Sequence, residues 1–172
     1  MVVFTIGHST HPIEVFVELL RRHGVRIVVD VRSMPRSRRH PQFNADALAA
    51  ALAAASIEYR HLPSLGGLRR PRPDSLHTAW TLPAFRGYAD HMDTAEFEEE
   101  LQSLLSCAEG YPTAVMCAEA LWWQCHRRLL ADALVVRSVE VVHILASGAL
   151  QRHELTPFAR ICDGRLSYPG LV

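Results

Sequence analysis

The sequence predicts an α/β fold: a single three-layer domain with a mostly parallel central sheet of about five strands flanked by helices. Three observations predict it. Strand, helix and strand follow one another within the first thirty or so residues, the pattern of a right-handed parallel crossover. Apolar, β-branched runs then keep alternating with segments of helical period. The 172 residues, 49% of them hydrophobic, suffice for one buried core. The span 1–172 therefore reads as one domain, interrupted by a long loop at about 62–82.

The elements follow in order. Val2 to Ile6 is a compact apolar run, and Gly7-His8-Ser9 ends it. Pro12 suits a first helical turn; Ile13, Phe16, Val17 and Leu20 share one face, and Gly24 is a stop. Arg26 to Val31 is the second strand, β-branched around Asp30. The basic stretch RSMPRSRRHPQF holds two prolines and reads as irregular, after which Asn44 is the expected cap of an alanine-rich helix to about Ala55. Ile57 to Arg60 is the third strand, and PAFRGYADHM a short helix. Thr94 caps a helix that buries Phe97, Leu101, Leu104 and Leu105, while Glu96, Glu98, Glu99 and Glu100 suit its positive end. Thr113 to Cys117 is the fourth strand. A helix follows Cys125, Val139 to Leu145 is the last strand, and no pattern stands out from Gly148 onward.

Composition excludes several classes. Lys+Arg and Asp+Glu both total 18, so the net charge is zero, which argues against an extended nucleic-acid footprint or a membrane-surface binder. Every basic residue is arginine, which discounts each one as an anion ligand. MVVFTIGHS lacks a signal-peptide pattern, and the most apolar segment, from Ala45 to Ile57, is too short to span a bilayer. A cytoplasmic protein without a membrane is expected, with Cys107, Cys117, Cys125 and Cys162 as thiols.

With the strands parallel, the distinctive residues collect at one edge. His8 follows strand one, Arg32 strand two, Gly66 lies beyond strand three, Cys117 ends strand four and His143 is near the end of strand five. Ligands of open α/β sheets bind outside the carboxyl ends of the strands. Cys125 falls where a helix begins, and Arg127 and Arg128 add positive charge that favours a thiolate. His126 is a base, a ligand or a cap. Glu119 orients Arg127 or His126, or caps the turn. Cys117 alone reads equally as a small core filler. Trp122-Trp123 stack on a base or pack the loop. Asp30, a charge among aliphatics, needs a partner, and Arg32 shares its face. Arg32, Arg36, Arg38 and Arg39 form one basic cluster; Arg69, Arg70 and Arg72 form a second. Cys117, Cys125 and His126 are zinc-ligand types, but the cysteines are spaced unlike a structural zinc site, and no metal or cofactor is assigned.

TIGHST, VVDVRSMPRSRRHPQF, LPSLGG, RGYADHM, CAEALWWQCHRRLLAD and VVHIL together resemble, in order, a prokaryotic family known as domain of unknown function 488. The resemblance spans nearly the whole chain. It implies one α/β domain, marks His8, Asp30, Arg32, Cys117, Glu119, Cys125, His126 and Arg127 as motif positions, and implies no activity.

The function these residues favour is a pocket for a small anionic, phosphate- or sulfate-like ligand. Cys117, Cys125 and His126 are its candidates for thiolate chemistry; His8, Asp30, Arg32, Glu119 and Arg127 are its ligand-binding candidates. The alternative is a non-catalytic nucleotide or nucleic-acid binding module built on Arg32, Arg36, Arg38, Arg39 and Arg127. A third reading is structural only, with Asp30–Arg32 and Glu119–Arg127 as internal ion pairs around inert thiols. Neither strand order nor oligomeric state can be read from the sequence.

Overall fold

A computed structural model describes residues 1–171. Five parallel strands, β1 (Val2–Gly7), β2 (Ile27–Asp30), β3 (Glu58–His61), β4 (Thr113–Cys117) and β5 (Glu140–Ile144), form the sheet, and β6 (Leu150–Arg152) joins antiparallel at its edge. The order is β3-β2-β4-β1-β5-β6, so β4 is inserted between β2 and β1. Five helices complete the layers: α1 (Ile13–Arg22), α2 (Ala45–Ala54), α3 (Pro83–Met92), α4 (Ala95–Gly110) and α5 (Arg127–Val136).

The period-two alternation of the strands separates the two faces. Val28, Ile6 and Met116 pack with Phe16, Leu20, Leu48 and Leu52 of α1 and α2. Ile27, Val29 and Val115 pack with Leu101, Leu104, Leu129 and Leu134 of α4 and α5, beside Tyr88 of α3. Each fully buried Leu or Phe contributes roughly 1.5–3 kcal/mol. Helices on both faces explain why β2 and β4 are buried at every position and therefore read as apolar runs. Among the described residues, no helix is long and apolar enough to cross a membrane.

Four local expectations need correction. Asn44 precedes α2, but its Oδ1 accepts from the Ser37 amide at 2.7 Å and so closes the basic loop instead of capping the helix. That loop contains a 3₁₀ turn, Pro41–Phe43. Val17 and Leu105 are only half-buried; Leu19 and Cys107 take the core positions beside them. The tail also has structure: besides β6 it forms a hairpin of β7 (Arg160–Cys162) and β8 (Arg165–Ser167). Asp163 and Gly164, with φ of 51° and 75°, make its turn, as an Asp-Gly pair can. Those strands are three residues long and largely exposed, so no hydrophobic period marks them.

Candidate functional site

The insertion of β4 brings the carboxyl ends of β2, β4 and β1 side by side, where open α/β sheets hold ligands. A cleft of about 730 Å³ opens there. Its floor and walls include His8, Arg32, Cys117, Cys125 and His126, and Gly67 from the 62–82 loop. The backbone fixes this floor. Gly7 pairs with Cys117, and the His8 and Ser9 amides donate to the carbonyls of Cys117 and Ala118. Gly7 has to be glycine, because a Cβ there would lie 1.8 Å from the Glu119 carbonyl oxygen.

Asp30 and Arg32 form the ion pair their shared face predicts. Arg32 Nε and Nη2 donate to the two Asp30 oxygens at 2.9 and 2.7 Å, and Tyr59 Oη donates to Oδ2 at 2.7 Å. The Arg32 amide donates to Oδ1 as well, so the buried carboxylate is saturated. Arg32 Nη2 also reaches the Phe43 carbonyl, and Nη1 lies 3.4 Å from His8 Nε2. Of five guanidinium hydrogens, one on Nη1 remains for the cleft. His8 stacks on Phe43 and donates from Nδ1 to the Ser9 carbonyl. Burial lowers its pKa to about 4, so the ring is neutral near pH 7.

Cys117 and Cys125 meet on the cleft floor with their sulfurs 3.4 Å apart. Cys125 Sγ accepts from the Arg127 amide at 3.4 Å and from Arg127 Nε at 3.3 Å, at the start of α5. The Cys117 thiol donates toward Cys125, and with the Arg127 charge this overcomes burial and lowers the Cys125 pKa to about 6. Burial pushes Cys117 the other way, keeping it a thiol.

Behind Arg127 runs a buried chain of polar groups that no local pattern in the sequence reveals. Arg127 Nη1 donates to Thr5 Oγ1 at 3.2 Å; Thr5 Oγ1 meets His143 Nδ1 at 2.6 Å; His143 Nε2 meets His153 Nδ1 at 2.9 Å. His153 Nε2 then meets Asp132 Oδ1 at 2.8 Å, while Tyr168 donates to Asp132 Oδ2. One donor direction, from Arg127 through Thr5, His143 and His153 to Asp132, satisfies every group. Burial above all, with the nearby Arg127 charge adding to it, lowers the His143 pKa to about 3. These links join positions as far apart as 5 and 153, and they hold the guanidinium with its Nε on Cys125.

The other predicted residues fall as follows. Glu119 does hold Arg127, but through its carbonyl oxygen, 2.5 Å from Nη2; its carboxylate is exposed and makes no ion pair among the described residues, so the Glu119–Arg127 ion pair of the purely structural reading does not form. His126 lines the cleft with Nε2 unpartnered among the described residues, and burial lowers its pKa to about 4. Gly67 lies against this ring, closely enough that a Cβ would come within 2.9 Å of Nδ1. Arg36 lines the cleft with its side chain exposed, whereas Arg38 and Arg39 are exposed without lining it. Two members of the second basic cluster are engaged elsewhere, Arg69 donating to the Gly66 and Ser64 carbonyls and Arg72 facing Asp74 and Asp90, while Arg70 is exposed. Trp122 stacks on His143 at 4.1 Å and so packs the loop. Among the described residues, no three of His, Cys, Asp and Glu converge as a metal site would require.

A family model described as "Domain of unknown function DUF488" matches residues 12–134, from the start of α1 into α5. It covers Asp30, Arg32, both cleft cysteines and Arg127, but not His8, His143 or His153. No curated protein and no solved structure matches the chain.

Proposed function

Because the chain belongs to the family described as domain of unknown function DUF488, a description that assigns no reaction, we propose a function from the chemistry of its cleft. The cleft takes a small anionic molecule, and the Cys125 thiolate is the nucleophile that attacks it. One observation carries this reading. Arg127 is 1% exposed, and none of the ion pairs among the described residues involves it. A guanidinium does not give up its proton, and a buried charge without an anion is strongly destabilising. The side chain meets the Thr5 hydroxyl, the Glu119 and Ala120 carbonyls and the Cys125 sulfur. Only the sulfur can ionise. The thiolate is thus the counter-ion of Arg127, and it faces a cleft.

The remaining lining suits an anionic ligand with an apolar portion. Arg36 and the free Arg32 N–H supply positive donors at the mouth and wall. Met34, Leu68 and Phe85 supply apolar surface. His126, neutral and with an unpartnered Nε2, is the proton acceptor within the same walls.

Site-resolved alkylation of the cysteines against pH tests the reading, run in parallel with neutral iodoacetamide and anionic iodoacetate. Cys125 should reach half-maximal reactivity at about 6. Iodoacetate should be favoured at Cys125 over Cys162, and Arg36→Ala should erase most of that preference. If Cys125 reacts only as pH rises past about 8.5, the ordinary thiol value, there is no thiolate near neutrality and the proposal fails.

A further inference from the structure

The two sulfurs on the cleft floor carry the reading one step further, to the class of substrate. We propose that the substrate is a small anionic disulfide, attacked by Cys125 and resolved by Cys117, so that the protein exchanges its dithiol for an internal disulfide. The proposal rests on the thiolate reading above.

Cys117 Sγ lies 3.4 Å from Cys125 Sγ. A disulfide bond is about 2 Å long, so roughly 1.4 Å of approach separates the reduced pair from the bridged one. The two cysteines also sit on supports of different stiffness. Cys117 ends β4, which is hydrogen-bonded to β1 on one side and β2 on the other. Cys125 lies between the 3₁₀ turn Trp122–Gln124 and the first residue of α5, a junction able to adjust.

Their partners are asymmetric. Cys125 receives two N–H donors from Arg127, whereas among the described residues the one hydrogen-bond partner of Cys117 Sγ besides Cys125 is the Glu119 carbonyl oxygen, 3.8 Å away. One sulfur is therefore equipped as attacker, and its neighbour as a protonated reserve. A reserve thiol in contact with the attacker serves one kind of intermediate well. A mixed disulfide on Cys125 is cleaved by a second thiolate at sulfur, and Cys117 is the thiol within reach. An intermediate that water had to hydrolyse would gain nothing from it.

The exchange balances. The Cys125 thiolate attacks one sulfur of R–S–S–R; a Cys125–S–S–R bond forms, the substrate S–S bond breaks, and RS⁻ leaves with the electron pair. Cys117 then attacks the Cys125 sulfur, its proton passes to the departing RS⁻, and RSH is released. The substrate disulfide has gained two electrons, and the two cysteines have lost them. Bridging also removes the anion that faces Arg127, so the ion pair stabilises the dithiol relative to the disulfide. Such a disulfide is readily reduced by a second thiol, which returns the protein to its starting state.

The test uses the full chain with Cys162→Ser, to silence the exposed thiol, and the anionic disulfide 5,5′-dithiobis(2-nitrobenzoate) as probe. Release of coloured thiolate is followed together with intact mass and peptide mapping. The expected product is two hydrogens lighter than the reduced chain, with Cys117 linked to Cys125 and two thiolates released for that pair. Adding Cys117→Ser should halve that release and leave a stable aryl adduct on Cys125. A stable adduct on Cys125 while Cys117 is still present overturns this inference and leaves the nucleophile standing. A Cys125 that does not react overturns both.

Discussion

Replacing Cys125 by serine removes the anion that faces Arg127 while keeping a small polar side chain of similar shape. On the proposed reading its cost depends on pH in a calculable way. The thiol is lowered from 9.0 to about 6 in the folded chain. A depressed acid contributes stability that is fully present above its unfolded value and is lost as pH falls through its folded one. From those two values the contribution is about 4 kcal/mol near pH 9, about 1 kcal/mol near pH 7, and close to zero near pH 5. The upper figure agrees with the roughly 3–5 kcal/mol that breaking a buried ion pair costs. The assay is urea unfolding of the wild type and Cys125→Ser under reducing conditions at those three pH values. The difference between the two proteins should grow steadily with pH, because other titrations largely cancel. In an Arg127→Met background the growth should shrink, because the guanidinium is gone while the Cys117 thiol still favours the thiolate. A difference that is the same at all three values refutes the reasoning, since a merely misfitting serine has no proton to exchange.

Three further outcomes follow from the same geometry. Thr5→Val keeps the shape of the side chain but cuts the hydroxyl between His143 and Arg127; the half-alkylation pH of Cys125 should rise by about one unit and return to the wild-type value in Thr5→Ser. An unchanged midpoint in the valine variant would show that the chain does not hold the guanidinium. Gly7→Ala drives a methyl into the Glu119 carbonyl and should cost about 3 kcal/mol by chemical denaturation; a cost well under 1 kcal/mol would mean that the loop simply moves aside. His8, His126 and His143 are held neutral down to about 4, about 4 and about 3. Below 6.5 the unfolded chain binds protons that the folded one refuses, so Tm should fall from there toward acid even in Cys125→Ser, and a flat profile between about pH 6.5 and 4.5 would contradict it.

The layers, and the edge at which the chemistry collects, are legible in the sequence alone. Alternating β-branched and helical periods are local signals, and β1 to β5 and all five helices lie where those periods put them. Parallel strands then force His8, Arg32 and Cys117 to one end, because every βα crossover returns the chain in the same direction. Asp30, the last residue of β2, and Arg32, two residues further on, declared their pairing in the same way. Tertiary structure decided what faces what across the sheet. The sequence offers Glu119 as the carboxylate for Arg127, yet the carbonyl of that residue and the sulfur of Cys125 do the holding. Nothing local marks Thr5, His143, His153 and Asp132 as one chain, since each is a single polar residue on a different element, joined only once β1, β5, α5 and the tail are packed. The same holds for the sulfurs: eight residues apart along the chain, they touch because β4 ends beside the turn that starts α5. Secondary structure is written in neighbours along the sequence, but the partner of a buried charge is chosen by the fold that excludes water from it.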